Sequence, residues 1–499
     1  MSDTPHVHVA VIGTGFGGLA TAVRFLQEGV TSLAVFERAD GVGGVWRDNR
    51  YPGAACDVPS HLYSFAFAPN PDWSNRFARQ PEILAYLEGV ADRFGVRPHL
   101  RLGHDVERLA WDDDAAVWQV ATSRGDWTAD VVVAAPGALA EPKMPDVPGL
   151  ATFAGPSFHT SRWDPALSLA GKRVAVVGTG ASAVQVVPAI QPEVERLTLY
   201  QRTPPWVIPR NDRPIGRAAA LYRRFPGLQR AVRGWLYGSR EALGVPFRQP
   251  WLARVVGRWL GRHLSRQVAD PDLREALRPD YTLGCKRLTL SDDYYPALTR
   301  PNVEVVEGGV AEVRPHGVVG ADGAERPADV LVLATGFHVT DFPMTRLTFG
   351  RDGRSLAEVW GGSPRAHLGT TVAGFPNLFI LQGPNTGLGH NSVVLMTEAQ
   401  VEHAVAAVRY MGAHRLAAVE PRPEAQAAFV AEVDARMADT VWTSGCRSWY
   451  LDETGRNSAL WPGSVGSFRR RVEPFDPAEY RLRPAARPQP TDAPRPADP

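Results

Sequence analysis

VHVAVIGTGFGG at residues 7–18 and VAVVGTGASAVQ at residues 174–185 are the two stretches on which the fold turns. In each, a short β-branched apolar run ends in a glycine-rich turn, which opens a segment with apolar residues at helical spacing. The first unit is Val7 to Ile12, Gly17 to Glu28 and Ser32 to Glu37. The second is Arg173 to Val177, Ala181 to Ile190 and Leu197 to Gln201, about 165 residues later. Strand, helix and strand in that order form a βαβ unit, so the chain is expected to be α/β, with two Rossmann-like, doubly wound domains that bind dinucleotides.

The turns carry the chemistry. In the first, Gly13 allows the tight bend, Gly15 lets a pyrophosphate approach the backbone, and Gly18 lets helix and strand pack closely. The helix N-terminus adds unpaired N–H donors. Glu37 closes the second strand, where a carboxylate accepts from ribose hydroxyls and repels a 2′-phosphate, so this unit suits FAD or NAD rather than NADP. The other turn keeps Gly178 and Gly180 and has Ala183 in third place, still small enough for close packing. Its strand ends in Gln201-Arg202-Thr203, and a guanidinium at that edge is a bidentate partner for a phosphate, which selects NADPH over NADH.

At 499 residues the chain predicts two or three domains. Lys and Arg number 54 against 53 Asp and Glu, and a formal charge of +1 gives no global field for nucleic acid or an acidic membrane. Cys56, Cys285 and Cys446 are far apart and form no CxxC, so no disulfide framework and no metal site is expected, and a reducing cytoplasm fits. With no leader pattern and no apolar run of about 18 residues, the protein is expected to be soluble and unprocessed.

Strands are expected at Val106 to Leu109, Trp118 to Thr122 and Asp130 to Ala134. A helical insertion is expected over about 215–280, its basic stretch from Arg223 to Arg266 read as a solvated face. Strands return at Val303 to Glu307, 328–337 and 377–385, followed by a helix from Met396 to Tyr410. The expected domains are 1–150 and 346–482 for one dinucleotide, 165–345 for the other, and a proline-rich disordered tail over 483–499.

Two longer patterns sharpen this. FAGPSFHTSRWD, residues 153–164, fits FxGxxxHxxxW(P/D) through Phe153, Gly155, His159, Trp163 and Asp164. GGVWRDNRYPGAACD, residues 43–57, fits (A/G)GxWxxxx(F/Y)P(G/M)xxxD through Gly44, Trp46, Tyr51, Pro52, Gly53 and Asp57. On these residues the chain resembles the type I Baeyer–Villiger monooxygenases, class B flavin monooxygenases, across about residues 6–475. The resemblance implies FAD and NADPH as cofactors and insertion of one oxygen atom from O2 beside a ketone carbonyl through a C4a-peroxyflavin, giving an ester or lactone. A sulfide is a possible further substrate, and a monomer or homodimer is expected.

DYTLGCKRLTLSDDYYPAL, residues 280–298, resembles the stretch carrying the family's catalytic arginine, which makes Arg287 that residue and Asp57 its carboxylate partner. Tyr63 matches a tyrosine near the flavin, Thr203 and Lys286 match contacts to the 2′-phosphate, and Trp449 aligns with a tryptophan on a mobile loop over the nicotinamide. The expected cofactor contacts also include Phe16, Val45, Val106, Ala181, Ser182 and Gln185. His159 is read as a conformational residue between the two nucleotide domains rather than an acid or base. The rivals are a flavin monooxygenase confined to nitrogen or sulfur and a non-catalytic NADPH-sensing flavoprotein. Flavin disulfide reductases are excluded for want of CxxC.

Overall fold

The computed structural model describes residues 4–485. β1 (His6–Ile12) is buried on both sides: Val9 and Val11 belong to one apolar cluster, Ala10 and Ile12 to another. Such a strand needs cover on both faces, which is why it reads as an unbroken apolar run. It leads into α1 (Phe16–Gln27) and then β2 (Leu33–Glu37), which pairs parallel with β1. β3 (Leu100–Leu102) extends the sheet beyond β2, while β4 (Val106–Asp112), β5 (Val117–Thr122) and β6 (Gly125–Ala134) form an antiparallel meander. β6 is longer than the sequence predicts. Its half-exposed first part pairs with β5, and its apolar second part continues parallel to β1 in the core.

The second sheet is wholly parallel. It contains β7 (Ser157–His159), β8 (Arg173–Val177), α2 (Ala181–Ile190) as crossover, and β9 (Arg196–Gln201). The helical insertion follows β9, dominated by α3 (Pro226–Leu243) and α4 (Pro250–Gln267). β10 (Val303–Glu307) and β11 (Val330–Leu333) complete the order β10-β9-β8-β11-β7. His159 thus lies in this sheet, paired with Leu333, rather than on a connection between the two domains as expected. A small antiparallel sheet, Val310–Arg314, Gly317–Gly320 and Glu325–Pro327, was not expected.

The chain then returns to the first sheet. β12 (Leu378–Ile380) pairs with the inner end of β6, and α5 (Val393–His414) joins α1 in the main apolar cluster. The expected disordered tail is corrected at its start: Tyr480–Pro484 is a strand paired antiparallel with Leu416–Pro421. The remainder of that tail lies outside the described residues.

Burial of polar residues in this core has a pH consequence. His403 on α5 is fully buried, with Nε2 2.8 Å from the Tyr480 hydroxyl, and burial pushes its pKa down to about 4. His159 is pushed down to about 4 for the same reason. An unfolded histidine titrates near 6.5, so between about 6.5 and 4 the unfolded chain holds protons that the folded one refuses. Stability from both residues is complete above that window and drains as pH falls through it, each adding a slope of up to about 1.4 kcal/mol per pH unit. Thermal melts from pH 7.5 down to 5 are expected to show a falling Tm; a flat profile contradicts this.

Candidate active site

α1 and α2 both start on a glycine, Gly15 and Gly180, with no side chain capping the first turn. Their first N–H groups therefore remain available to an anion. A Cβ on Gly180 would meet nothing within 4 Å, and one on Gly15 would come no closer than 3.9 Å to Gly44, so each turn leaves open room for a phosphate. Gly18 is different: a Cβ there would lie 1.8 Å from the Gly13 carbonyl oxygen, so it must be glycine for α1 to approach the strand end. Gly13 and Gly178 turn the chain at the ends of β1 and β8, and Ala181 and Ser182 start α2 beyond the second turn. These features fit two bound dinucleotides.

Glu37 ends β2 beside the first turn. One oxygen accepts from the Thr14 N–H (3.1 Å) and hydroxyl (2.6 Å), and the other from the Ala39 N–H (3.0 Å), with Arg47 at 3.1 Å. The carboxylate therefore shapes the turn itself, and Arg47, which the sequence reading overlooked, balances its charge. Gly44 and Val45 begin the short helix Val45–Asp48, and Trp46 donates to the Tyr63 hydroxyl at 3.0 Å. Phe16 packs edge-on against Tyr63 with ring centres 4.9 Å apart. Val106 starts β4, on the meander of the same sheet.

The two sheets meet through Gln185 of α2. It accepts from the Tyr51 hydroxyl (3.0 Å) and the Ala55 N–H (3.3 Å) and donates to the Ala55 carbonyl (2.9 Å). Gly53, at φ +83°, makes the approach possible, because a Cβ there would stand 2.6 Å from the Gln185 carbonyl oxygen. This helix thereby holds the segment that presents Asp57. A second join lies at His159, whose Nδ1 meets the Ser161 hydroxyl at 2.8 Å and whose ring packs edge-on against Phe337 at 5.1 Å. Phe337 in turn bridges to Pro142, so the outgoing and returning connections between the sheets run together at this histidine.

At the second turn, Arg202 is exposed at the end of β9, and the Thr179 hydroxyl donates to the Thr203 carbonyl at 2.7 Å. Lys286 sits over the Tyr281 ring at 4.6 Å, and its pKa is lowered first by burial and then by the positive charge of Arg202. Two cations near enough to act on each other would suit a dianion such as a 2′-phosphate.

A half-buried ion pair, Asp57 with Arg287, completes the candidate site. Arg287 donates through Nη2 to Asp57 at 2.6 Å and through Nη1 to the Leu388 carbonyl at 3.0 Å. Burial alone would push the Asp57 carboxyl up, but the guanidinium holds it below the usual carboxylate range, and Asp57 raises Arg287 further above its ordinary value. Both are ionised at neutral pH. A guanidinium has five N–H donors, and those of Arg287 not given to Asp57 and Leu388 meet no protein acceptor among the described residues. With 29% of its side chain exposed, they are accessible to a bound group.

One sequence expectation is overturned here. Cys285 and Cys446 form a disulfide across 161 residues, with Cα atoms 6.3 Å apart, whereas Cys56 is free and buried. The bond joins the segment of Lys286 and Arg287 to the loop of Trp449, and it removes the cysteine argument for a reducing compartment. Trp449 is 44% exposed, its ring centre 4.2 Å from that of the buried Tyr450. Burial raises the Tyr450 phenol against the opposing charge of Arg287.

The family model for flavin-binding monooxygenase-like proteins matches residues 6–234. A Baeyer–Villiger monooxygenase of Streptomyces coelicolor is 53% identical over 485 residues, covering 96% of this chain and 93% of that one. The chain belongs to the Baeyer–Villiger monooxygenases. A second Baeyer–Villiger monooxygenase, from Pseudomonas aeruginosa, is 46% identical, covering 96% of this chain and 92% of its own length. Among solved structures, cyclohexanone monooxygenase from Rhodococcus sp. Phi1 bound to NADP+ is similar with a TM-score of 0.86 at 32% identity, covering 97% of this chain and all of that one. The OTEMO complex with FAD and NADP gives 0.88 at 28% identity, covering 96% of this chain and all of that one.

Within this family member, the sequence reading missed Arg47, the Leu388 carbonyl, Tyr450 and the disulfide. Tyr450 stands directly after Trp449, so the aromatic pair was a usable signal. The Leu388 contact is made by backbone and leaves no signature in the sequence.

Proposed function

We propose that the protein is an FAD- and NADPH-dependent monooxygenase that converts a ketone, NADPH, a proton and O2 to an ester or lactone, NADP+ and water. The observation that carries this reading is the Asp57–Arg287 pair between two dinucleotide turns, with guanidinium donors left over. Bound FAD, with NADPH as reductant and O2 as oxidant, would supply the nucleophilic oxygen. Gly13, Gly15 and the N-terminus of α1 would hold its pyrophosphate, and Trp46 and Tyr63 would pack beside it. Gly178, Gly180, Ser182 and the Arg202–Lys286 pair would hold NADPH.

Arg287 then offers a permanent positive charge to the negative charge that develops on the substrate's carbonyl oxygen. Such a donor, fixed beforehand, costs no reorganisation during the reaction. Asp57 and the Leu388 carbonyl set the guanidinium's direction and leave its other donors for the substrate. His159, held neutral by burial, is a hinge contact rather than a proton carrier. Trp449 and Tyr450 shield the site from water, which favours product over wasted reductant. The same pair favours ketone oxidation over a reaction confined to nitrogen or sulfur, because heteroatom oxidation develops no carbonyl oxyanion.

A panel of ketones and sulfides, with NADPH consumption and product followed together, tests the reading. Ester or lactone formation matched to NADPH oxidation supports it; sulfoxide as the sole product overturns it. The disulfide adds a further expectation. Cys446→Ser releases the Trp449 loop from the Arg287 segment, so more NADPH should be oxidised to hydrogen peroxide without product while FAD content is unchanged. Coupling equal to that of the parent enzyme contradicts a shielding role for this loop.

A further inference from the structure

The helical insertion concentrates positive charge and exposed apolar side chains. Residues 215–267 hold eleven arginines and one acidic residue, Glu241, a net of +10 in a chain whose total formal charge is +1. Glu241 is engaged internally, accepting from Asn391 at 2.8 Å. Arg224 and Arg230, together with Arg254, Arg258, Arg262 and Arg266 of α4, are exposed and form no ion pair among the described residues.

Large apolar side chains stand among these charges. Trp235 is 67% exposed, Trp251 58% and Trp259 53%, with Phe225, Leu228 and Val255 also exposed. On α4, Trp251, Val255 and Trp259 recur every four residues, and Arg254, Arg258 and Arg262 fall on the same side of the helix. The opposite side, Ala253, Leu260 and Leu264, is buried. On α3, Leu228 and Trp235 share the exposed side, while Leu236 is buried and Arg233 donates inward to the His61 carbonyl at 2.7 Å. Each helix therefore has one apolar side packed on the body and a second one in water.

We propose that this insertion docks the enzyme on an anionic lipid surface. Indole rings prefer the headgroup level of a bilayer, with the apolar body inward and the N–H outward. Arginines flanking them reach anionic headgroups, and a helix with tryptophan and arginine on one side lies in the interface plane rather than across it. No helix among the described residues is long and apolar enough to cross a membrane. A second copy meeting this face with its own insertion is a poor occupant, because it would set one arginine-rich surface against another. The inference does not depend on the proposed reaction.

The test uses purified holoenzyme and vesicles of mixed phosphatidylglycerol and phosphatidylcholine, with phosphatidylcholine alone as control. The expected result is cosedimentation with the anionic vesicles, weakened by salt and at least about tenfold lower on the neutral ones, with a blue shift of tryptophan emission. The triple variant W235A/W251A/W259A is expected to lose at least about tenfold of this binding while keeping its FAD and its turnover of a small, water-soluble substrate. Failure of the holoenzyme to bind anionic vesicles overturns the proposal. So does binding that is untouched by the triple variant, or tighter binding of the same face to nucleic acid, to an acidic protein or to a second copy in light scattering.

Discussion

Arg287→Ala is expected to keep FAD yet lose ester or lactone formation by at least about a hundredfold, the usual scale for removing one preorganised oxyanion donor. The FAD turn is untouched by the substitution, since Arg287 contacts Asp57 and the Leu388 carbonyl rather than any residue of the glycine turn. Truncation also leaves Asp57 without its counter-charge, and because burial pushes that carboxyl up once Arg287 is gone, it becomes easier to protonate. The site would then lack the guanidinium charge. Flavin reduction is expected to slow as well, so the diagnostic measurement is product per enzyme after reduced variant, NADP+ and O2 are mixed with ketone. Yield and rate equal to those of the parent enzyme would remove Arg287 from its assigned role.

The second large effect concerns coenzyme choice. The positive charge of Arg202 acts on Lys286, and a 2′-phosphate would relieve that repulsion by bonding to both. Each charge-assisted bond lost is worth roughly 1.5–3 kcal/mol, so Arg202→Ala is expected to raise the KM for NADPH about tenfold to a hundredfold while that for NADH hardly moves. Equal loss with both coenzymes would show a structural role for Arg202 rather than phosphate recognition.

Much of this architecture is legible in the sequence because local and global signals agree. Arg173–Val177, Ala181–Ile190 and Val303–Glu307 are read with the bounds they have in the structure, since each is an apolar run of the right length between clear punctuation. β7 escapes because three residues carry no period, and it is a strand only because β11 lies beside it. The candidate site divides the same way. Asp57 and Arg287 each sit in a recognisable segment, but what brings them to 2.6 Å is Gln185 clamping the Tyr51–Ala55 loop, a contact between residues 130 or more apart. Cys285 and Cys446, 161 residues apart, offered no spacing to read. The insertion is read only as a solvated face because a whole-chain charge of +1 averages away a local excess, and helical periodicity does not say which of two apolar sides is left in water.

The most direct measurement is the fate of isotopically labelled oxygen. Purified enzyme is given NADPH, a ketone that it accepts and 18O2, and the product is examined by mass spectrometry. One 18O atom in the ester or lactone for each coupled NADPH, and none when label is supplied as water, is the expected result. Unlabelled product, or labelled hydrogen peroxide with the ketone recovered intact for every ketone tried, would contradict oxygen insertion.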